Sequence, residues 1–144
     1  MSSYLPFSVA PGGANGMRMV SAGALKVNCE KFAGDFASVT AISLDDRPLE
    51  SSSRVLVTVV GRAANQDIQW NAAHNSVGEH WGHGPTIAER IPTTITLAGS
   101  AHRKIFALAP DGSHKRAIRP DTDDEVTFHV EPQDQTLHYE IVEE

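Results

Sequence analysis

Val126-Thr127-Phe128-His129-Val130 and, after a break, Thr136-Leu137-His138-Tyr139-Glu140-Ile141 are the stretches that decide the fold. In both, apolar and polar residues alternate one by one, the two-residue period of a strand with one face in a core and the other in water. The polar segment between them, Glu131-Pro132-Gln133-Asp134-Gln135, ends one strand and begins the next. The same alternation recurs upstream, where Ile91, Thr93, Ile95 and Leu97 are interleaved with Pro92, Thr94 and Thr96. Val39 to Leu44 and Ile105 to Leu108 read as further strands. Val55-Leu56-Val57-Thr58-Val59-Val60 is apolar in both phases, which predicts a central strand covered on both sides. In Ala109-Pro110-Asp111-Gly112-Ser113, Pro presets one turn position and Gly accepts a left-handed one, so a hairpin is expected there. No segment sustains helical spacing beyond a turn or two. Short strands with turn signals between them predict an all-β protein, an antiparallel β-sandwich of jelly-roll or Ig-like type, in a single domain.

Composition narrows the function classes. The chain has 144 residues, 40% of them apolar, enough for one core. Lys plus Arg is 12 against 18 for Asp plus Glu, a net charge of −6. That sign argues against nucleic acid and anionic membrane as partners, because both require a basic footprint. The single cysteine, Cys29, leaves no internal disulfide framework and no Cys-based zinc cluster. No run approaches the roughly 18 apolar residues of a membrane span. The start, Met1-Ser2-Ser3-Tyr4-Leu5-Pro6, lacks the features of a signal peptide, which leaves a cytoplasmic protein or a domain cut from a longer secreted chain.

Two segments depart from the strand rhythm. Residues 8–24 hold four Gly and little pattern, so 1–23 is expected to be an irregular lead-in or linker, with the sandwich over 24–144. Residues 61–90 form a long connection with Trp70, Trp81, three His and four Gly, and a loop of that length in a compact domain is usually functional. Charge is also uneven. Residues 103–119 carry five basic residues and one acid, whereas 120–144 carry nine acids and no Lys or Arg. Neighbouring hairpins that neutralise each other would account for this. A structural calcium on Asp121, Asp123 and Asp124 is the alternative, although the spacing lacks the Gly and terminal Glu of an EF-hand loop.

Catalytic signatures are sparse. There is no Gly-x-Ser-x-Gly elbow, Cys29 lies in no nucleophile motif, and nothing pairs two carboxylates at a glycosidase separation. His74, His80 and His83 with Glu79 have no recognised metal spacing, so solvent-facing loop histidines are the plainer reading and a metal-dependent enzyme the remoter one. No catalytic residue and no cofactor is therefore assigned. Trp70 and Trp81 are the chemistry-bearing residues. An indole stacks on the apolar face of a pyranose ring, or else wedges into the core edge to pin the loop. Asn65, Gln69, Asn71 and Glu79 are then the candidate partners for sugar hydroxyls.

The stretch Ser53-Arg54-Val55-Leu56-Val57-Thr58-Val59-Val60-Gly61-Arg62-Ala63-Ala64-Asn65, with Trp70-Asn71, Val77-Gly78 and Trp81-Gly82-His83-Gly84-Pro85, resembles a known β-sandwich domain. That domain stands at the C-terminal end of large bacterial glycoside hydrolases and putative cellulases with TIM-barrel catalytic domains. Ile42-Ser43-Leu44-Asp45-Asp46-Arg47-Pro48-Leu49 is similar to its Ser-Leu-Asp-Gly-x-Pro-Leu hairpin, with Asp46 where Gly is commoner. Gln135-Thr136-Leu137-His138-Tyr139-Glu140-Ile141 also fits, with His138 where an aromatic is more usual. The resemblance spans residues 24–143. It implies a non-catalytic accessory module of a polysaccharide-degrading enzyme, extracellular or periplasmic, whose partners are a β-linked glucan or mannan and the parent enzyme's catalytic domain. A purely structural domain bracing that barrel is the alternative.

Overall fold

The structure, a computed structural model, describes residues 7–9, 18–30, 36–99, 102–121 and 125–143. Alternation becomes burial strand by strand. In Ala37–Ser43 every second residue is buried and those between are half-buried; Thr93–Leu97 repeats the pattern. The described residues form β1 (Phe7–Val9), β2 (Arg18–Ala22), β3 (Leu25–Cys29), β4 (Ala37–Ser43), β5 (Arg54–Val60), β6 (Ala63–Gln66), β7 (His83–Ala88), β8 (Thr93–Leu97), β9 (Arg103–Leu108), β10 (His114–Ile118), β11 (Val126–Val130) and β12 (His138–Glu143). A single 3-10 turn, Pro132–Asp134, precedes β12. One antiparallel sheet has the order β1-β4-β5-β12-β9-β10 and the other β11-β8-β3-β2; β6 and β7 pair with each other alone. The chain is an all-β, sandwich-like single domain.

The buried phase of both large sheets meets in one core. Val39, Val57, Ile105, Tyr139 and Ile141 come from the six-stranded sheet, and Leu25, Val27, Ile95, Leu97 and Phe128 from the four-stranded one. Phe128 and Tyr139 lie with ring centroids 5.4 Å apart and planes inclined at 50°, one from each sheet. Each such side chain contributes about 1.5–3 kcal/mol on leaving water. Tyr139 also has a polar task. Its hydroxyl donates to Asp134 Oδ2 at 3.1 Å, and the same oxygen accepts the Glu131 N–H at 2.9 Å. Arg116 Nη2 lies 3.1 Å from Asp134 Oδ1, so the buried carboxylate is compensated by a guanidinium. Burial, followed by the nearby Asp134 charge, drives the Tyr139 phenol far above its ordinary range.

Three features differ from the sequence expectation. The lead-in supplies two strands: β1 pairs with β4 and β2 with β3. Their backbones find partners in strands that carry the pattern themselves, so little pattern of their own is needed. β5 is central, between β4 and β12, but only one of its faces is fully buried; Leu56, Thr58 and Val60 are half-buried on the other. The 61–90 connection is not one open loop, because it contains the β6–β7 hairpin. The uneven charge, in contrast, resolves as neighbours in space. β9 lies between β10 and β12, and Arg116 of β10 pairs with Glu131 as well as Asp134.

Two local devices close the ends of the sandwich. At one, the β4–β5 connection wraps around Asp45. Its Oδ1 accepts the Ser43 and Ser52 hydroxyls at 2.9 and 2.7 Å, and its Oδ2 accepts the Ser53 hydroxyl and N–H, each at 2.7 Å. These donors, Ser53 foremost, hold the carboxyl far below the usual carboxylate range. Asp46 follows at φ +58°, the left-handed region that favours glycine. At the other end, β5 leads into the hairpin through buried Gly61. A Cβ there would stand 2.7 Å from Ile91 Cδ1 and 2.9 Å from Glu89 O. Gly61 is thus the neck at which the hairpin leaves the core.

Gly61→Ala is expected to cost about 1–3 kcal/mol through overpacking against Ile91 and the Glu89 carbonyl. Thermal unfolding followed by circular dichroism measures it, and an unchanged Tm would refute the neck. For Asp45 the folded pKa is depressed, so its stabilisation is present above the unfolded value and lost as pH falls. Asp45→Asn should therefore lower Tm at pH 7, with the gap to wild type closing below about pH 4.

Candidate functional site

The hairpin is built outward from the neck. The Glu89 N–H donates to Arg62 O at 2.6 Å, and the ladder continues as Ala63↔Ala88, Ala64↔Ile87 and Asn65↔Thr86. The register shifts between Asn65 and Gln66, after which Gln66 faces His83. Gly82, at φ +68°, lies so close to the opposite strand that a Cβ would fall 2.0 Å from Gln66 O. Only glycine fits there. Beyond it the chain folds back on its own polar groups. Gln69 N–H donates to His80 O at 3.1 Å and Asn71 N–H to Ser76 O at 2.9 Å. Val77 is the buried apolar anchor of this tip.

Both tryptophans stand in the open. Trp70 is 49% exposed and Trp81 64%, so neither is wedged into the core edge, which was the alternative expected for them. Trp70 stacks loosely on the His74 ring, with centroids 6.4 Å apart and planes inclined at 20°. Trp81 is fixed through its backbone: its carbonyl accepts the Asn65 side-chain amide at 3.1 Å, and Asn65 Oδ1 in turn accepts the Thr86 hydroxyl at 2.8 Å. The rings are thus presented to solvent on a backbone that is held from behind.

The candidate hydroxyl partners divide into two kinds. Asn65 and Asn71 spend their amides on the hairpin itself. Asn71 Nδ2 donates to Asn75 Oδ1 at 2.7 Å, while Asn71 Oδ1 accepts the Asn75 N–H at 3.1 Å. These bonds brace the hairpin, and each amide keeps a second N–H and a second lone pair. Gln69 and Glu79 are exposed, and their side chains make no hydrogen bond among the described residues. Those two remain available.

His83, weighed in the sequence only as a loop histidine or metal ligand, takes part in a bridge that the sequence does not show. Its Nδ1 lies 2.9 Å from Gly84 O and its Nε2 2.8 Å from Asp67 Oδ2. Both neighbours are acceptors only, so the ring serves them both only when both nitrogens carry protons. The Gly84 carbonyl first, and Asp67 second, raise its pKa accordingly. No group of three or more His, Cys, Asp or Glu capable of holding a metal occurs among the described residues. His74 and His80 are exposed. Of the calcium candidates, Asp123 and Asp124 lie outside the described residues, and Asp121 Oδ2 is 3.0 Å from His129 Nε2.

Away from the hairpin, several polar side chains are paired with one another. On the outer face of the six-stranded sheet the nearly buried Glu140 accepts two bonds from Arg54, one of them from Nε at 2.9 Å, and faces His114 Nε2 at 2.6 Å. Burial alone would raise its pKa; His114 and Arg54 more than offset this and lower it. His114 lies flat on Phe106 with centroids 3.9 Å apart. Cys29 is buried against Thr93, and burial pushes its thiol up, away from thiolate chemistry. No helix of the described residues is long and apolar enough to cross a membrane. What the fold and the site define together is a β-sandwich domain with an aromatic-tipped hairpin leaving one end. No protein-family model matches this chain, and no curated protein or solved structure matches it either.

Because the folded pKa of His83 is raised, its two-sided bridge is complete at low pH and is lost as pH rises through a value above the ordinary one of about 6.5. A histidine-edited NMR titration should place the His83 midpoint above that value. Asp67→Asn should move it down without abolishing the shift, since the Gly84 carbonyl remains. A wild-type midpoint at or below the ordinary value would show that the bridge does not hold the proton.

Proposed function

We propose that this chain is a non-catalytic carbohydrate-binding module that takes a β-linked glucan or mannan by stacking pyranose rings on Trp70 and Trp81. The observation that carries the reading is the exposure of both indoles on one braced hairpin. Exposing two indoles to water is unfavourable unless a ligand covers them. A sugar suits such a surface, having apolar ring faces and a polar rim. Gln69 and Glu79 supply hydroxyl contacts beside the rings. The module works outside the cell as part of a longer polysaccharide-degrading enzyme, and the hydrolytic carboxylates belong to that enzyme's catalytic domain.

The competing reading is a domain that only braces a catalytic barrel. It requires a broad apolar patch on the sandwich itself. Outside the hairpin, the large exposed apolar side chains among the described residues are Met19, Phe36 and Leu44, on three separate segments. The hairpin is the better-supported surface.

Affinity electrophoresis on soluble β-glucans and mannans tests the proposal. The wild-type protein should be retarded by at least one of them. Trp70→Ala and Trp81→Ala should each weaken binding by about 2 kcal/mol, roughly thirtyfold, with little change in Tm. Folded protein that is retarded by none of these glycans would sink the reading and favour the bracing domain. A large drop in Tm would instead mark the indoles as structural.

A further inference from the structure

The two faces of the hairpin are unequal. On one, Asn65 and Thr86 bond to each other next to the Ala63–Ala88 pair. The other carries Ala64 opposite Ile87, with Arg62 and Glu89 one step further toward the neck. Beside these residues runs an open groove of about 540 Å³ lined by Arg62, Ala64, Asn65, Gln66, Asp67, Ile87 and Glu89. The volume falls within the range of about 300–1,000 Å³ typical of small-molecule sites. Ile87 is 54% exposed, an isoleucine left in water in the lining of the groove.

We propose that this groove is a binding subsite for a neutral oligosaccharide segment. The proposal rests on the carbohydrate-binding reading above and deepens it by naming the second contact surface and the charge class of the ligand. Its chemistry follows from the lining. Ile87 and Ala64 form an apolar strip that one face of a pyranose can cover. Around the strip stand side chains of both hydrogen-bonding kinds: the Gln66 amide donates and accepts, Asp67 accepts and Arg62 donates. The charges are already engaged. Asp67 is paired with His83, and neither Arg62 nor Glu89 is without a partner. An anionic ligand would meet Asp67 and Glu89 in the same groove, and a cationic one would meet Arg62. A neutral polyol meets no such opposition and uses the spare lone pairs and N–H groups of the rim.

The same electrophoresis, extended to substitutions in the groove and to polygalacturonate as an anionic comparator, decides the matter. Ile87→Asp should weaken retardation by the neutral glycan about tenfold or more, and Gln66→Ala by several-fold, with Tm unchanged. Ile87→Ala carries the test if the aspartate disturbs the hairpin; it should weaken retardation in the same direction, and full retention would count against the groove. Unchanged retardation of all three variants, alongside loss in Trp70→Ala, would overturn the groove while leaving the carbohydrate-binding reading standing. Absence of wild-type retardation on every glycan would remove both. Stronger retardation by polygalacturonate than by neutral glycans would overturn the neutral-ligand assignment alone.

Discussion

The structure turns on Tyr139. Its ring fills the inner face of the six-stranded sheet and meets Phe128 from the opposite sheet, so it is part of what joins the two layers. Its hydroxyl reaches the buried Asp134, which is also held by Arg116 and by the Glu131 N–H. One residue therefore couples apolar packing between the sheets to the turn that launches the last strand. A buried carboxylate is tolerable only when compensated in this way, because an unpaired charge in a low-dielectric interior is expensive. The arrangement also places Arg116, from the edge strand β10, over the acidic C-terminal segment, and so ties the charge asymmetry of the chain to its topology.

Against that rigid body, the hairpin is stabilised by different means. It buries little, and of its tip only Val77 is withdrawn from water. Its order comes from polar closure: Asn65 to Trp81 and Thr86, Asn71 to Asn75, and His83 to Asp67 and Gly84. Each bond contributes modestly in water, on the order of 1 kcal/mol. Together they hold the two indoles without covering them. A functional surface must remain exposed and yet be pre-arranged, and a hydrogen-bonded scaffold achieves both where an apolar core would not.

How much was legible from residues alone follows from this division. Strands β8, β11 and β12 lie in segments where burial on one face forces alternation, and β4, β5 and β9 in largely apolar runs, so all six were readable with the fold class. β1 and β2 were not, because their pairing depends on neighbouring strands and the Gly-rich segment around them has no periodicity. β6 and β7 leave no trace in the pattern for the opposite reason: β7 is exposed throughout, so no face of it selects apolar residues. The tryptophans were visible as types, but their exposure was not, since an indole serves core and ligand equally well. The roles of Asn65 and Asn71 were likewise hidden. An amide that braces a backbone and one that binds a hydroxyl look the same in a list of residues. Ile87 was the least legible, because its significance lies in being opposite Ala64, which is a fact of register.

The neck at Gly61 has one more consequence. The segment from 62 to 90 leaves the sandwich at Gly61, which lies against Ile91 and Glu89, and its own two-stranded sheet is separate from the other two. Most of its side chains are exposed or half-buried, so substitutions at those positions meet few core neighbours. A lineage could retune what the tip and groove recognise while the body stays constant.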